Sequence, residues 1–492
     1  MRNFSGLPLD DDIIDRVLQF CPTFETLRSA ILTSKSFYNV YQAHPRSLLR
    51  AVAYNVTGPT LPQALRVVRY RSPEGARNDI NGGVANETSG SQTKSDPGNE
   101  VPATKSHSDS GSETESDSDE DNEGDGKTPK LVECDEDDEE TDEKTPITPE
   151  EVHQLCHDAK IVGFFEDLFS LRHKNRRFKT SQLTPTESYR FRRAMYRIMF
   201  YSRVFSAEKY EDFSDDDEAP AEELMKVRRA RKKFFRSFFS DEILQMYAVS
   251  SFLVEMVHWA NEVFTLDIED EESALAIGLE WIYNSMQEDV LHVGEDYELM
   301  ELSSNPFTQN YLSSSISAIL EERNAKLPDR KDSSIWRVVL DSIDGEQDPC
   351  DQCKIPTGFD LLGPSTYDFI YASRPHQDNL SYFLKGKLSR VDRSCLYKNS
   401  DAARYPKIME TIFNDDIKRP EFSTWKKEDW LCKNCMENYL REHLHLWLLD
   451  LKKQEGETIP EDCWYGYNCR TMTHNLQHAQ KLNHLCAPSR GT

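Results

Sequence analysis

The stretch CWYGYNCRTMTHNLQHAQKLNHLC, residues 463–486, packs three cysteines and three histidines into 24 residues of a chain that has 11 cysteines in 492 residues. Cys463 and Cys469 are separated by five residues across a loop centred on Gly466, and His478 and His484 by five more, on what reads as a short turn or helix. Two thiolates and two neutral imidazoles complete a tetrahedral zinc shell and leave no position for water, which is the chemistry of a structural site and not of a catalytic one. His474 and Cys486 are then surplus to the shell. The alternative is that the histidines line a surface helix.

Two further pairs precede this stretch: Cys350 and Cys353 in CDQC, and Cys432 and Cys435 in CKNC. C-x-x-C spacing lets two thiolates grip one ion from a tight turn, and two such turns make a closed four-cysteine zinc site. The long gap between the pairs requires an insertion to loop out, and Cys395 within it reads as buried. A redox reading of C-x-x-C needs a βαβ context that the sequence lacks. The tail is too short to hold a fold by apolar burial, so metal binding is expected to supply its folding free energy.

Catalytic signatures are missing. We find no nucleotide-binding loop, no nucleophile elbow, no paired carboxylates and no RING-spaced set of eight ligands, so the chain is not expected to be an enzyme. The formal charge of −27 argues against wholesale nucleic-acid binding. Two basic runs, RHKNRRFK (172–179) and KVRRARKKFFRSFF (226–239), could serve nucleic acid or import. They read more simply as solvated faces of amphipathic helices, the second with Val227, Phe234 and Phe238 turned inward. The opening MRNFSGLPLDDDII lacks the apolar core of a signal peptide, so a nuclear and/or cytoplasmic, reducing compartment is expected. The most apolar stretch, 247–264, is interrupted by Glu255 and His258 and reads as a buried helix, with no membrane partner.

The elements that must position these residues are mainly helical. Residues 1–70 show apolar residues at helical spacing (Leu9, Ile13, Ile14, Val17, Leu18, then Leu27, Ile31, Leu32, then Phe37, Tyr38, Tyr41) and read as a small bundle. Residues 71–147 read as an acidic disordered linker: 109–143 hold 18 acids against Lys127 and Lys130. Serines 112, 116 and 118 there precede acids and suit acidophilic kinases, or the segment is only a spacer. Cys134 falls in this run. Residues 148–345 read as an α-helical domain, opened by capping boxes at 148–151 (TPEE) and 184–187 (TPTE), with Ser240 a further cap. A cysteine-rich zinc-binding region (346–459) and the finger (460–492) complete the chain.

Two segments resemble known families. LPLDDDIIDRVLQF and LRSAILTSKSFYNVY, spanning about residues 6–53, resemble an F-box; a plain bundle accounts for the same pattern. The resemblance implies docking on a Skp1-like adaptor of a cullin ligase, with Leu7, Pro8, Ile13 and Leu32 as participants. CWYGYNCR, completed by HAQKLNH, resembles the poly(ADP-ribose)-binding zinc finger, PBZ, and is most similar to the finger of checkpoint ubiquitin ligases with forkhead-associated and RING domains. Those ligases also carry a cysteine-rich region with a knuckle much like LCKNC. The resemblance implies that Cys463, Cys469, His478 and His484 bind zinc, that Tyr465 stacks on adenine with Trp464 a second aromatic, and that Arg470 meets pyrophosphate. The gap between Cys469 and His478 is one residue longer here, and Thr471 follows Arg470. Together the resemblances imply a substrate-recognition adaptor of an SCF-type ubiquitin ligase that reads poly(ADP-ribose) or ADP-ribosylated proteins. The alternative is a poly(ADP-ribose)- or nucleic-acid-binding nuclear scaffold with no ligase role.

Overall fold

A computed structural model describes residues 10–70, 145–210, 221–264, 270–287, 305–330, 332–367, 383–386, 388–398, 405–414 and 417–490. Leu7, Pro8, Leu9, Cys134, the three linker serines and nearly all of the acidic linker lie outside them. The described chain is mainly α, with isolated β-bridges and no strand.

Five helices come first: α1 (Asp11–Gln19), α2 (Phe24–Thr33), α3 (Lys35–Ala43), α4 (Pro45–Thr57) and α5 (Leu61–Arg69). Thr23 and Ser34 cap α2 and α3 by accepting the N–H of Thr26 and Phe37. α1 divides its apolar residues: Ile14 and Leu18 are buried, while Ile13 and Val17 face out, as does Phe20 just past its end.

The middle region contains α6 (Pro149–His173), α7 (Pro185–Val204), α8 (Ala221–Arg236), α9 (Ser240–Phe264), α10 (Ala274–Ile277), α11 (Leu279–Gln287) and α12 (Ser313–Glu322). Both expected capping boxes form, Thr148 with Glu151 and Thr184 with Glu187, each with proline in the first turn. Ser240 is the first residue of α9 and not its cap; Glu242 instead accepts the N–H of Phe239, and the Ser240 hydroxyl is met by Arg323.

One apolar core runs from Ile14 and Leu18 through Leu65 and Val67 to Phe165, Phe252 and Leu340, so residues 10–70 and the middle helices share a single interior. α5 lies on α6 and α7. Arg69 pairs with Glu151 at 2.8 Å, and Arg203 donates to the Val67 carbonyl at 2.8 Å.

A second core, from Cys350 to Leu485, gathers around α13 (Arg390–Lys398), α14 (Tyr405–Ile412) and α15 (Lys433–Gln454). The basic run 172–179 stitches the two cores together. Buried Lys174 pairs with buried Glu187 at 2.8 Å and also donates to Ser342. Buried Arg176 meets Asp348 at 2.6 Å, the Gly345 carbonyl at 3.2 Å and the face of Trp430 at 4.9 Å. In the second run, Val227, Phe234 and Phe238 do point inward. Lys232 and Arg236 engage Glu322, and Arg228, Arg229 and Lys233 face solvent.

Candidate metal centres and the surface beside them

Cys350 and Cys353 sit on a tight turn closed by the bridge between Pro349 and Pro356. The N–H of Cys350 donates to Ile355 and that of Lys354 to Cys350, and Lys354 takes φ +62° to complete the turn. A second bridge, Leu362 with Leu431, brings Cys432 alongside. Cys432 immediately precedes α15 and Cys435 lies in its first turn, and the Cys432 N–H donates to Cys350 Sγ at 3.2 Å. The described part of the chain between the pairs does not loop out as a separate insertion: Leu361, Phe383, Leu388, Cys395, Ile408 and Phe422 pack into the same core as Cys350 and Cys432.

The four thiols converge, every Sγ within 4.8 Å of the others. Tetrahedral zinc with bonds of about 2.3 Å asks for sulfurs about 3.8 Å apart, and Cys353 and Cys432 stand at 3.6 Å. Burial raises the Cys350 thiol, but N–H groups of Cys432, Cys353 and Gln352 outweigh it and bring it to about 7. Burial, with hydrogen sharing among neighbours, pushes Cys435 well up, and burial raises Cys432. Four thiols in this space cannot all shed protons without a cation among them, so the donor set fits a metal ion.

The finger is built the same way. Gly466 takes φ +42°, and a Cβ there would lie 2.1 Å from the Cys486 carbonyl oxygen, which is why the loop between Cys463 and Cys469 needs glycine. Asn475 caps α16 (Leu476–Lys481) by accepting the N–H of His478. The parallel bridge of Asp462 with Asn483 delivers His484, tightened by Asn483 donating to Asp462 at 2.7 Å. The ligand atoms of Cys463, Cys469, His478 and His484 lie within 4.8 Å of one another. Both thiols are 3% exposed, and Cys469 Sγ is 3.3 Å from His478 Nε2. Burial, then the charge of His478, lowers His484 and holds it in the neutral, metal-binding form. Its Nε2 is buried with no hydrogen-bond partner, as a metal ligand should be, while the ring bonds the Leu482 backbone through its other nitrogen. Between Cys469 and His478 the chain makes a 3-10 turn at Thr471–Thr473, whose Met472 fills the finger's small core with Ala479.

The surplus residues stay outside both groups. His474 is exposed. Cys486 points at the carbonyls of Cys463 and Asn483, its thiol pushed to about 11 by burial and by Asp462. Cys395 is buried against Glu455, likewise pushed to about 11 by burial and that carboxylate.

The finger is docked, not tethered. Leu485 enters the second core, Tyr467 packs edge-on against His445 of α15 at 5.5 Å, and the Tyr467 carbonyl comes so close to Gly386 that a Cβ would sit 2.0 Å away. Trp464 and Tyr465 remain 58% and 51% exposed, and Arg470 is exposed as well. Sequence reasoning missed Arg490, whose guanidinium lies 3.9 Å over the Trp464 ring, held by its own N–H on the Trp464 carbonyl. A cation shortly after the last cysteine was the available signal. Of the predicted adaptor contacts, Ile13 is 50% and Leu32 75% exposed. Among the described residues no helix is long and apolar enough to cross a membrane.

Compared with known proteins, the chain matches no family model, no curated protein and no solved structure.

Proposed function

We propose that the chain is a non-enzymatic substrate-recognition adaptor, working in the nucleus or cytoplasm, that joins ADP-ribosylated targets to a cullin ubiquitin ligase. The observation that carries the reading is the finger: two large aromatics stay exposed on a loop whose backbone is fixed by four buried or half-buried ligand atoms. Exposed rings on an ordered loop stack on a base at low entropic cost. Zinc is the ion of both centres. It supplies folding free energy and charge neutralisation, while Cys463, Cys469, His478 and His484 orient the loop and Arg470 offers a guanidinium to pyrophosphate. The adaptor side is supported by exposed Ile13 and Val17 on α1 and Phe20 at its end, with Leu32 on α2. Large apolar side chains left outside a well-packed core mark a docking face.

The test is a paired capture with the full chain. Immobilised poly(ADP-ribose) and a purified Skp1-like adaptor should each retain it, and zinc content should be about two per chain. Retention by the polymer but not the adaptor leaves a scaffold with no ligase role. Retention by the adaptor but not the polymer removes the reading of the finger.

A further inference from the structure

The two centres differ in how they shield sulfur. In the finger both thiols are 3% exposed, and their other ligands are imidazoles, which do not form disulfides. In the first centre Cys350 and Cys432 are buried and Cys435 is half-buried, but Cys353 is exposed. Its sulfur stands 3.6 Å from that of Cys432, 79 residues on. An accessible thiolate beside a second one is the arrangement in which oxidation runs to a disulfide and not to irreversible acids.

We propose that Cys353 and Cys432 form a peroxide-responsive pair, whose oxidation opens the first metal centre while the finger keeps its ion. This rests on the zinc reading of that centre. The Cys353 thiolate attacks one oxygen of hydrogen peroxide; the O–O bond breaks, hydroxide leaves and takes a proton, and Cys353 becomes a sulfenic acid. The Cys432 thiolate then attacks the Cys353 sulfur; the S–S bond forms, the S–O bond breaks, and the second oxygen departs as hydroxide, which takes a proton from solvent to become water. Peroxide is reduced to two waters as two thiolates become one disulfide. The ion then has only Cys350 and Cys435 left as donors and is released. A thiol reductant with added zinc reverses the change.

The experiment treats the purified full chain with hydrogen peroxide in the presence of a chromogenic zinc chelator, then maps cross-links by non-reducing digestion and mass spectrometry. We expect one zinc to leave at least about tenfold faster than the other, a Cys353–Cys432 cross-linked peptide to appear at the same rate, and dithiothreitol with zinc to restore the starting state. Cys353→His keeps a ligand nitrogen while removing the exposed thiol, and should slow the fast release to the rate of the finger. Zinc content before oxidation separates the two claims. A chain with no metal but a rapid Cys353–Cys432 cross-link overturns the zinc reading and keeps the thiol pair. Equal release from both centres, a first cross-link between Cys463 and Cys469, or sulfinic acid at Cys353 with no disulfide overturns the proposal.

Discussion

Replacing Gly466 by alanine should loosen the finger's hold on its metal and spare the first centre. Gly466 sits at φ +42°, and the added Cβ would lie 2.1 Å from the oxygen of Cys486 and 2.9 Å from the carbonyl carbon of Ala487. Both are backbone atoms, so no side chain can rotate away. The same Cys486 oxygen accepts the Tyr467 N–H at 3.1 Å, a bond that relief of the clash would break. A left-handed alanine costs about 1–2 kcal/mol and a lost hydrogen bond about 0.5–1.5 kcal/mol. The sum, about 1.5–3.5 kcal/mol, passes into metal affinity because folding and binding are linked, weakening the finger's zinc about 10- to 400-fold. Gly456 is the comparison: its φ is +79° with nothing within 4 Å of its Cβ position, so Gly456→Ala carries the left-handed cost of about 1–2 kcal/mol without the clash or the lost hydrogen bond, and should weaken the finger's metal less than Gly466→Ala does. Cobalt(II) titration of the full chain reads the centres separately, since absorption differs between four-thiolate and two-thiolate shells. Wild-type finger affinity in Gly466→Ala, or equal weakening at both centres, would refute the argument.

Tyr465→Ala should weaken polymer binding roughly 5- to 150-fold, from about 1–3 kcal/mol for one stacked base, at constant zinc content; loss of zinc in this variant would mean that the ring packs the finger and does not bind. Arg470→Ala should weaken polymer binding more at low salt than at high salt, and a salt-independent effect would rule out an ionic contact. Ile13→Asp with Leu32→Asp should abolish adaptor capture without lowering the melting temperature, because both side chains already face water. Arg176→Ala should lower unfolding stability by about 2–3 kcal/mol in denaturant titration, through loss of its contacts with Asp348, Gly345 and Trp430; Asp348 retains Arg177 at 2.9 Å, which limits the cost. Burial, followed by the nearby Arg419 and Lys385 charges, pushes His445 down to about 4. The folded chain therefore keeps it neutral while the unfolded chain takes up a proton. Stability is full above the ordinary histidine value of about 6.5 and falls as pH drops from there through about 4, by a few kcal/mol at most. His445→Phe should flatten that part of the profile of denaturation midpoint against pH, and parallel profiles would count against the assignment.

What the sequence made legible was local. The capping boxes at Thr148 and Thr184 complete themselves within four residues, and each C-x-x-C pair declares its turn by spacing alone. The inward set Val227, Phe234 and Phe238 follows from helical period. The run 172–179 was misleading for the opposite reason. Arg176 finds its carboxylate 172 residues away, and nothing in the spacing of RHKNRRFK says that Lys174 and Arg176 are interior residues. The shared core of residues 10–70 with α6 and α7 was hidden likewise, since an amphipathic face states that it must be covered and not by what. Arg490 escaped because its contact with Trp464 closes only when the finger folds.

The docking of the finger changes what its aromatics can do. α15 follows Cys432 directly, carries Cys435 in its first turn, and bears His445 against Tyr467. Lys452 near its far end is held by Asp392 at 2.8 Å. One helix thus touches both candidate metal centres, and Leu485 seals the finger to the same core. A finger on a flexible tether would lose entropy on binding, both in ordering its loop and in fixing its orientation. A finger seated on α15 is oriented by folding itself, so under the proposed function Trp464 and Tyr465 would meet a base as fixed surfaces. The same seating links the two clusters: Cys432 and Cys435 stand at the start of the helix whose His445 carries the finger's Tyr467.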